Sequence, residues 1–522
     1  MTLFLVGVVL LIVGYYTYGR FVESVLAPDD RETPAVKYAD GVDFVVLPHW
    51  KNMLIQLLNI AGVGPVIGVI AGIKFGAIVF LLIPIGNIIG GATHDFISGM
   101  ASLRNNGANL PTFVKENLGT TFYRCFSVFM VLLLLLVVAV FINIPAHLID
   151  GTFLPDVPFF WWAVGLIFLY YIAATMFPVD KIIGAFYPIF GGMLLVGSAA
   201  LFVALMIRGF NDPSILVESE EFANLKSDFL TNQPILPCLF VTIACGILSG
   251  FHATQSPIIA RTMKSERQAR SSFYGMMVVE GLIAMVWAGA ALAIYNASPE
   301  LWSVPPADVL SKITTNFLGS GLGTVTVIAV VILAITSGDT AMRSMRLSLA
   351  EILNVDQKKF ANRLAVCAPL ILITTLLLWW SNHDSSSFGK LWNYFAWANQ
   401  VLAAGTLGAG TVWIYGMRKQ GWIAALPGAF MTFIVSSYIL WSSPANNGPY
   451  GLVAALKAGF ATGKTDVETD APVSGLPLNL SYALGIVIAL VFIGWCVYRG
   501  KKNAASPKLE DETNDQKSKE DA

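Results

Sequence analysis

The sequence predicts an all-α polytopic membrane protein of about 13 transmembrane helices, most of them arranged as a 5+5 inverted repeat. Three observations predict this class: a composition poor in charge, apolar runs along the whole chain, and two interrupted runs placed five spans apart. Of the 522 residues, 56% are hydrophobic and 12% are charged, and the mean hydropathy is +0.67. Because soluble domains carry about 25% charged residues, this chain could not cover a soluble surface.

The apolar runs are each long enough to cross about 30 Å of hydrocarbon as a helix. The first run lacks a basic leader and a small-residue cleavage site, so we expect a retained membrane helix rather than a removed signal peptide. The approximate bounds of the predicted spans are 2–19, 53–73, 77–103, 123–145, 159–178, 183–207, 235–260, 271–295, 322–350, 362–380, 388–416, 421–441 and 479–498.

The distribution of basic residues predicts the orientation, because Lys and Arg concentrate in cytoplasmic loops. With the N-terminus outside, seven of the 32 Lys and Arg residues fall on the outer side, and we therefore expect a cytoplasmic C-terminus. The tail 500–522 is polar and lacks aromatic residues, which predicts disorder. The outer basic residues are Lys74, Arg208, Lys226, Lys312, Lys390, Lys457 and Lys464.

The second span contains the glycine pattern G-x-G-x-x-G, at Gly62, Gly64 and Gly68. A dinucleotide site would need a preceding strand and an acidic residue about 20 positions on, where the chain has Ile83. The glycines could instead form a helix-packing face. However, Pro65 lacks a backbone donor and Gly64 tolerates unusual dihedral angles, so we predict a break in the middle of this span.

The seventh span contains a second interruption, 246-GILSGFHATQSPIIAR-261. Gly250, His252, Gln255 and Pro257 stand inside an otherwise apolar run, where buried polar groups must find partners. His252 is either a functional residue or a hydrogen-bonded packing residue. The two interrupted spans are five spans apart and therefore run in opposite directions across the membrane. This spacing is expected for two inverted five-helix repeats, each beginning with a broken helix.

This topology divides the chain into segments, and the role of the segment before the first repeat stays open between a cytoplasmic gate and a plain connector. The predicted segments are an N-terminal helix (1–20), a cytoplasmic loop (21–52), the first repeat (53–207), an extracytoplasmic loop (208–234), the second repeat (235–416), two C-terminal helices with an extracytoplasmic loop (417–499) and the tail (500–522).

Several blocks of the chain resemble the carbon starvation protein A (CstA) family, in family order over roughly residues 10–415. The resemblance implies the LeuT-type fold and membership of the amino acid–polyamine–organocation superfamily. It also implies a bacterial inner-membrane transporter that takes up peptides, or pyruvate with protons, during nutrient limitation. Val69 stands where the family often has a second proline, and the chain is shorter than large family members. The blocks are 40-DGVDFVVLPHW-50, 60-IAGVGPVIG-68, 94-HDF-96, 239-LFVTIACGILSGFHA-253, 338-GDTAMRS-344 and 391-LWNYFAWANQVLAA-404.

In an inverted-repeat transporter the substrate lies near the midplane between the two broken helices. Half-helix N-termini carry a partial positive charge and unpaired N–H groups that suit a carboxylate, which both pyruvate and a peptide possess. The residues that we predict to contact the substrate are Gly62, Val63, Gly64, Pro65, Ser249, Gly250, Phe251, His252, Thr254 and Gln255.

Ion coupling needs a group that changes charge or coordinates an ion. Asp339 and Arg343 are four residues apart in the ninth span and can pair, as a coupling site or as a structural ion pair. Thr336 and Ser337 resemble the hydroxyls that in LeuT-type folds complete a sodium site beside the first broken helix, here at Gly62. We expect H⁺ as the coupling ion, with Na⁺ as the alternative.

His94 and Asp95 in the third span suit a proton relay, because histidine titrates near neutral pH; a helix-packing role is the alternative. As a catalytic dyad they are poor, since neighbours on a helix point about 100° apart. The sequence has neither HExxH nor a Walker motif, so we expect no enzyme. The five cysteines lack CxxC spacing and indicate core residues rather than disulfides or metal ligands.

The expected function is a secondary active transporter that works by alternating access, and the alternative is a channel for small organic anions or ions. We expect the lipid bilayer and a small carboxylate or peptide as partners, and no cofactor and no resident metal. A net charge of −1 gives no reason to expect a nucleic-acid partner.

Overall fold

A computed structural model describes residues 1–41, 43–153, 158–176, 179–216, 233–357, 359–383, 387–460 and 472–505. Most of the predicted extracytoplasmic loop 208–234 lies outside the described residues, and so does the predicted tail from residue 506 onward. The described elements are helices joined by short loops, which confirms the all-α membrane class.

The helices of the first half follow the predicted apolar runs. They are α1 Thr2–Tyr16, α2 Tyr18–Leu26, α3 Pro34–Lys37, α4 His49–Ala61, α5 Val69–Gly72, α6 Val79–Gly86, α7 Ala92–Arg104, α8 Leu110–Leu118, α9 Thr120–Phe153, α10 Phe160–Met176 and α11 Val179–Asn211. A π-helical turn at Gly64–Gly68 leads into α5, and another at Asn87–Gly91 joins α6 to α7.

The second half opens with a chain of short pieces and continues with long helices. These helices are α12 Phe240–Thr242, α13 Ala244–Ile247, α14 Phe251–Ala260, α15 Met276–Ala297, α16 Pro306–Ile352, α17 Phe360–Ser381, α18 Ser387–Gly416, α19 Trp422–Trp441, α20 Leu452–Phe460 and α21 Leu478–Ala505. The seventh predicted span is thus divided into α12, α13 and α14, where its polar and glycine residues interrupt the helix.

Across these ranges, nine helices are long and apolar enough to cross a membrane. The number is ten when the bent pair His49–Ala61 and Gly64–Phe75 counts as one span, and Phe160–Met176 is a shorter apolar helix. A multi-pass membrane protein is therefore confirmed, while the predicted count of 13 stays a prediction.

The segment between α2 and α4, residues 27–48 (described except for residue 42), packs onto the rest of the protein. The N–H of Val45 donates to the carbonyl of Arg261 (3.1 Å), and the N–H of Leu47 donates to that of Thr262 (3.0 Å). The hydroxyl of Thr33 donates to the carbonyl of Met263 (2.6 Å). This segment therefore covers the chain just after α14, at the end of the molecule where α7 and α16 also end.

Buried polar side chains join the helices around the two interrupted regions. The amide of Asn87 donates to the carbonyl of Gly246 (3.1 Å) and to that of Met277 (2.9 Å). It therefore fixes the π-turn before α7 against both α13 and the start of α15. Asn87 is fully buried, and such a bonded amide fixes the relative register of three elements that apolar packing alone would leave adjustable.

Candidate functional site

The first interruption separates α4 from the π-turn and α5 by a bend of 54°. Gly62 has φ +46° and ψ −153°, a backbone conformation that residues with a side chain rarely adopt. A Cβ at Gly62 would also lie 2.8 Å from the Cζ of Phe141. The structure therefore places the break where the glycine–proline pattern predicts it, and Gly62 is the residue that permits it.

The second interruption lies between α13 and α14. Leu248 has extended dihedral angles (φ −165°, ψ 112°), and the helix resumes at Phe251. Gly250 lies directly against α18, since a Cβ there would come 2.3 Å from the N of Ala403 and 2.4 Å from the O of Asn399. The close approach of another backbone explains why glycine stands at this position.

The two interruptions touch each other. A Cβ at Gly64 would lie 2.2 Å from both the Cβ and the Sγ of Cys245, which belongs to α13. The ring of Phe141 stands between Gly62 and the start of α14, with its centroid 6.0 Å from that of Phe251. The breaks in the second and seventh predicted spans therefore form one buried region, as an inverted repeat requires.

Asn399 caps the N-terminus of α14. Its backbone carbonyl accepts the N–H of Gly250 (3.1 Å) and its Oδ1 accepts the N–H of Phe251 (2.7 Å). Its Nδ2 donates to the Oγ of Ser249 (2.9 Å). The N–H groups predicted to meet a substrate carboxylate are thus bound by protein in this conformation, and a carboxylate would have to replace Asn399.

The other predicted substrate residues are buried in the same region. Thr254 donates its hydroxyl to the carbonyl of Phe251 (2.7 Å), and the Nε2 of Gln255 donates to the hydroxyl of Thr254 (2.8 Å). Ser344 of α16 donates to the carbonyl of Thr254 (2.9 Å). Val63, Ser249 and Gln255 are fully buried, so this conformation closes the predicted contacts off from solvent.

A cluster of buried acidic and basic side chains lies just beyond the second break. The Nδ1 of His94 is 2.8 Å from the Oδ1 of Asp95, and the Nδ1 of His252 is 3.0 Å from its Oδ2. The Nε2 of His252 is 3.8 Å from the Oε2 of Glu280. All four side chains are fully buried, so α7, α14 and α15 meet around four titratable groups.

The sequence identifies His94, Asp95 and His252 as separate candidates; their meeting, and the presence of Glu280 beside them, come from the fold. His94 and Asp95 do contact each other, contrary to the expectation of divergent side chains, because the carboxylate of Asp95 lies between the two imidazoles. Glu280 is an ionisable residue inside the predicted span 271–295, which is a signal of function that could have identified it.

Asp339 and Arg343 interact electrostatically, while the contacts described for their polar atoms are with other residues. The hydroxyl of Tyr187 donates to the Oδ1 of Asp339 and also to the carbonyl of Thr336 (2.9 Å). The guanidinium of Arg343 pairs with Asp43 of the 27–48 segment at 3.1 Å. Spacing along one helix permitted the pair, but the long Arg343 side chain extends to a partner that only the tertiary fold supplies.

The two predicted sodium-site hydroxyls have different neighbours. Ser337 donates to the carbonyl of Leu58 (2.6 Å) in the last turn of α4, directly before the first break. Thr336 donates to the carbonyl of Leu333 in its own helix (3.0 Å). Ser337 therefore contacts the broken helix as predicted by the resemblance, whereas the Thr336 hydroxyl does not; a sodium site at Gly62, Thr336 and Ser337 stays a prediction.

The comparisons with known proteins identify the family to which this chain is similar. The model of the family described as carbon starvation protein CstA matches residues 1–154, 156–301 and 296–437. These ranges include both interruptions, the buried cluster and Asn399.

Relatives with curated names are bacterial membrane proteins. An "Uncharacterized membrane protein" of Haemophilus influenzae is 39% identical over 336 residues, which cover 55% of this chain and 90% of that protein. "Peptide transporter CstA" of Escherichia coli is 24% identical and the match covers 81% of this chain and 78% of that protein. "Pyruvate/proton symporter BtsT" of Escherichia coli is 25% identical, covering 57% of this chain and 49% of that protein.

Solved structures share the fold at low sequence identity. A manganese transporter of Eremococcus coleocola has a TM-score of 0.53 at 12% identity, covering 89% of this chain and 99% of that chain. MhsT, solved in complex with L-phenylalanine, has a TM-score of 0.53 at 12% identity, covering 87% of this chain and 99% of that chain. At this identity the likeness establishes the fold alone.

Proposed function

The chain belongs to the carbon starvation protein CstA family, and from this premise we propose that it imports a small carboxylate nutrient together with protons. The proposed substrate is pyruvate or a short peptide, taken up across the bacterial inner membrane when carbon is limiting. The names of the relatives support this class, since they include a peptide transporter and a pyruvate/proton symporter. In the proposed orientation the N-terminus lies outside the cell membrane and the C-terminus lies in the cytoplasm.

The observation that carries the proposal is the contact between the two helix breaks. Irregular backbone at membrane depth is tolerated where it is buried in protein or lines a cavity, and here both breaks meet at Gly64 and Cys245. We assign residues 53–207 and 235–416 to the two inverted repeats. Alternating access then follows from movement of one set of helices against the other around this common region.

The carboxylate would bind at the N-terminus of α14. In the closed conformation the N–H of Gly250 donates to the backbone carbonyl of Asn399, and the N–H of Phe251 donates to its side-chain Oδ1. A substrate carboxylate is a stronger acceptor than an amide oxygen, because charge-assisted hydrogen bonds are roughly twice as strong as neutral ones. The proposed binding step is therefore that the substrate carboxylate displaces the Asn399 side chain as the acceptor at the N-terminus of α14.

Protons are the proposed coupling ion, with sodium as the alternative. Two carboxylates and two imidazoles are buried together, and such groups can take up and release a proton without binding a metal cation. They belong to Asp95, Glu280, His94 and His252. Asp339 is a further buried carboxylate with this capacity. The sodium alternative would use Ser337 beside the first break.

The test is transport by the purified protein in liposomes. Labelled pyruvate and labelled alanyl-alanine are offered under an imposed proton gradient, under an imposed sodium gradient, and with neither. Accumulation above the external concentration under the proton gradient supports the proposal. Accumulation under sodium alone identifies the other ion, fast flux without accumulation identifies a channel, and no uptake of either compound rejects the proposed substrates.

A further inference from the structure

Glu280 is a buried acidic residue inside a helix long and apolar enough to cross a membrane. It lies in the second turn of α15 and is fully buried. Within the described residues, neither carboxylate oxygen has a hydrogen-bond partner. Burying an ionised carboxylate without partners is costly, and such groups are kept in membrane proteins where they serve a function.

The surroundings of Glu280 contain a path for a proton. His252 faces Asp95 with its Nδ1 (3.0 Å) and Glu280 with its Nε2 (3.8 Å). One imidazole therefore stands between two carboxylates on different helices. His94 completes the row through its 2.8 Å contact with Asp95, and its Nε2 has no hydrogen-bond partner among the described residues.

The neighbouring elements bring few other titratable groups to Glu280. His252 of α14 lies 3.8 Å from its carboxylate, and Asp95 of α7 and the thiol of Cys245 of α13 interact with it electrostatically. The last turn of α4 brings the carbonyl of Ile60 close to His252. Among the described residues, the charged neighbours of Glu280 are His252 and Asp95, so His252 is the base placed to exchange a proton with it.

We propose that Glu280 is the proton-carrying carboxylate of the transport cycle and that His252 relays the proton between Glu280 and Asp95. This inference rests on the proposed proton-coupled uptake. In the relay step the Nε2–H bond of the His252 imidazolium breaks and an O–H bond forms at Oε2 of Glu280. His252 is left neutral, with its remaining proton on Nδ1 facing Asp95, and Glu280 becomes a neutral acid.

The geometry links this step to the substrate. His252 directly follows Phe251, whose N–H is proposed to donate a hydrogen bond to the substrate carboxylate. The first turn of α14 therefore contains a residue for substrate binding and a residue for proton transfer. The Nε2–Oε2 separation of 3.8 Å exceeds a hydrogen bond. A displacement of α14 by less than 1 Å toward α15 would close the distance to about 2.9 Å, so movement of this half-helix can control the transfer.

The experiment compares Glu280→Gln with Glu300→Gln, the same substitution at an exposed glutamate just beyond α15. Each variant in liposomes is assayed for accumulation of labelled pyruvate and alanyl-alanine under a proton gradient, and for exchange without a gradient. We expect the ratio of accumulation to exchange to fall at least tenfold in E280Q and to stay within twofold of the parent in E300Q. Glu280→Asp, which keeps the acid, is expected to restore part of the ratio.

A second readout does not depend on the substrate. Infrared difference spectra of the purified protein between acidic and alkaline pH report the protonated carboxyl group directly. We expect a buried carboxyl band that E280Q lacks and E300Q keeps, whatever bands other buried carboxylates such as Asp339 contribute. Loss of this band together with no uptake by the parent would reject the proposed function and retain Glu280 as a proton site. An unchanged band, or an unchanged accumulation ratio in folded E280Q, would overturn the inference.

Discussion

The Oδ1 of Asn399 accepts a hydrogen bond from the backbone N–H of Phe251 at 2.7 Å. The two residues are 148 positions apart and belong to α18 and to the first turn of α14. The side-chain amide of Asn399 thus provides the hydrogen-bond acceptor that the first N–H of α14 lacks, because no helical turn directly precedes it. The closed conformation of the proposed site depends on this contact, together with the Ser249 hydroxyl that Asn399 also binds.

Replacement of Asn399 by alanine should destabilise the closed conformation. The substitution leaves the buried N–H of Phe251 without its acceptor, and an unsatisfied buried group costs about 1–3 kcal/mol. We expect the thermal midpoint of the detergent-solubilised protein to fall by several degrees. The matched control is Asn503→Ala on the exposed last turn of α21, where a change within about 0.5 kcal/mol is expected. Equal midpoints for N399A and N503A would contradict the capping role.

The contact between the two breaks can be tested by a compensating pair of substitutions. Gly64→Ala places a Cβ where the Cβ and Sγ of Cys245 already lie, at 2.2 Å. We expect this variant to lose stability and uptake, because overpacking costs about 1–3 kcal/mol. Cys245→Gly removes both clashing atoms, so the double variant should recover at least half of the lost stability.

The specificity of this rescue has its own control. Gly62→Ala clashes with Phe141 rather than with Cys245 and requires a positive φ that alanine disfavours. Cys245→Gly should therefore fail to rescue G62A. If the double variant G64A/C245G were no more stable than G64A alone, the two breaks would not be in contact in the folded protein.

The positions of both breaks could be predicted from the sequence, because glycine, proline and clustered polar residues are local signals. The partners could not be predicted, because they come from distant parts of the chain. His252 meets Asp95 across 157 positions, and Asn399 meets Phe251 across 148. Helical spacing points from Arg343 to Asp339, but it gives no sign of Asp43, with which Arg343 pairs across 300 positions. Glu280 could have been found as the single acid in its predicted span.

The ion pair of Asp43 with Arg343 should contribute to closure at the end of the molecule that the 27–48 segment covers. Arg343 is buried and Asp43 is largely buried, so the pair is poorly screened by solvent. A double-mutant cycle of Asp43→Asn and Arg343→Gln should give a coupling free energy of at least about 1 kcal/mol in thermal unfolding, within the usual range for contacting residues. A coupling near zero would show that the pair contributes nothing.

The ion pair of Asp29 and Arg31 lies in the same segment but is exposed, so it should contribute less to stability than the buried pair of Asp43 and Arg343. Hydrogen bonding from Arg31 holds the pKa of the Asp29 carboxyl below its ordinary value. A lowered pKa contributes stability above the unfolded-state pKa, about 3.9, and this contribution is lost as the pH falls toward the folded value. Asp29→Asn should therefore change stability slightly at neutral pH, by less than about 1 kcal/mol, and the difference should vanish in acid. A larger loss at acid pH would contradict this assignment.

The proposed exchange of Asn399 for a substrate carboxylate predicts which compounds compete for uptake. Pyruvamide and the C-terminal amide of alanyl-alanine keep the size of the substrates but lack the charge. Hydrogen bonds to charged groups contribute about 1.5–3 kcal/mol, so each amide should inhibit uptake of its labelled parent at least tenfold more weakly than the unlabelled acid does. Asn399→Asp should lower uptake at least tenfold, because a carboxylate fixed beside Phe251 would occupy the position proposed for that of the substrate. Equal inhibition by acid and amide would show that the N-terminus of α14 does not select a carboxylate, whichever ion drives the transport.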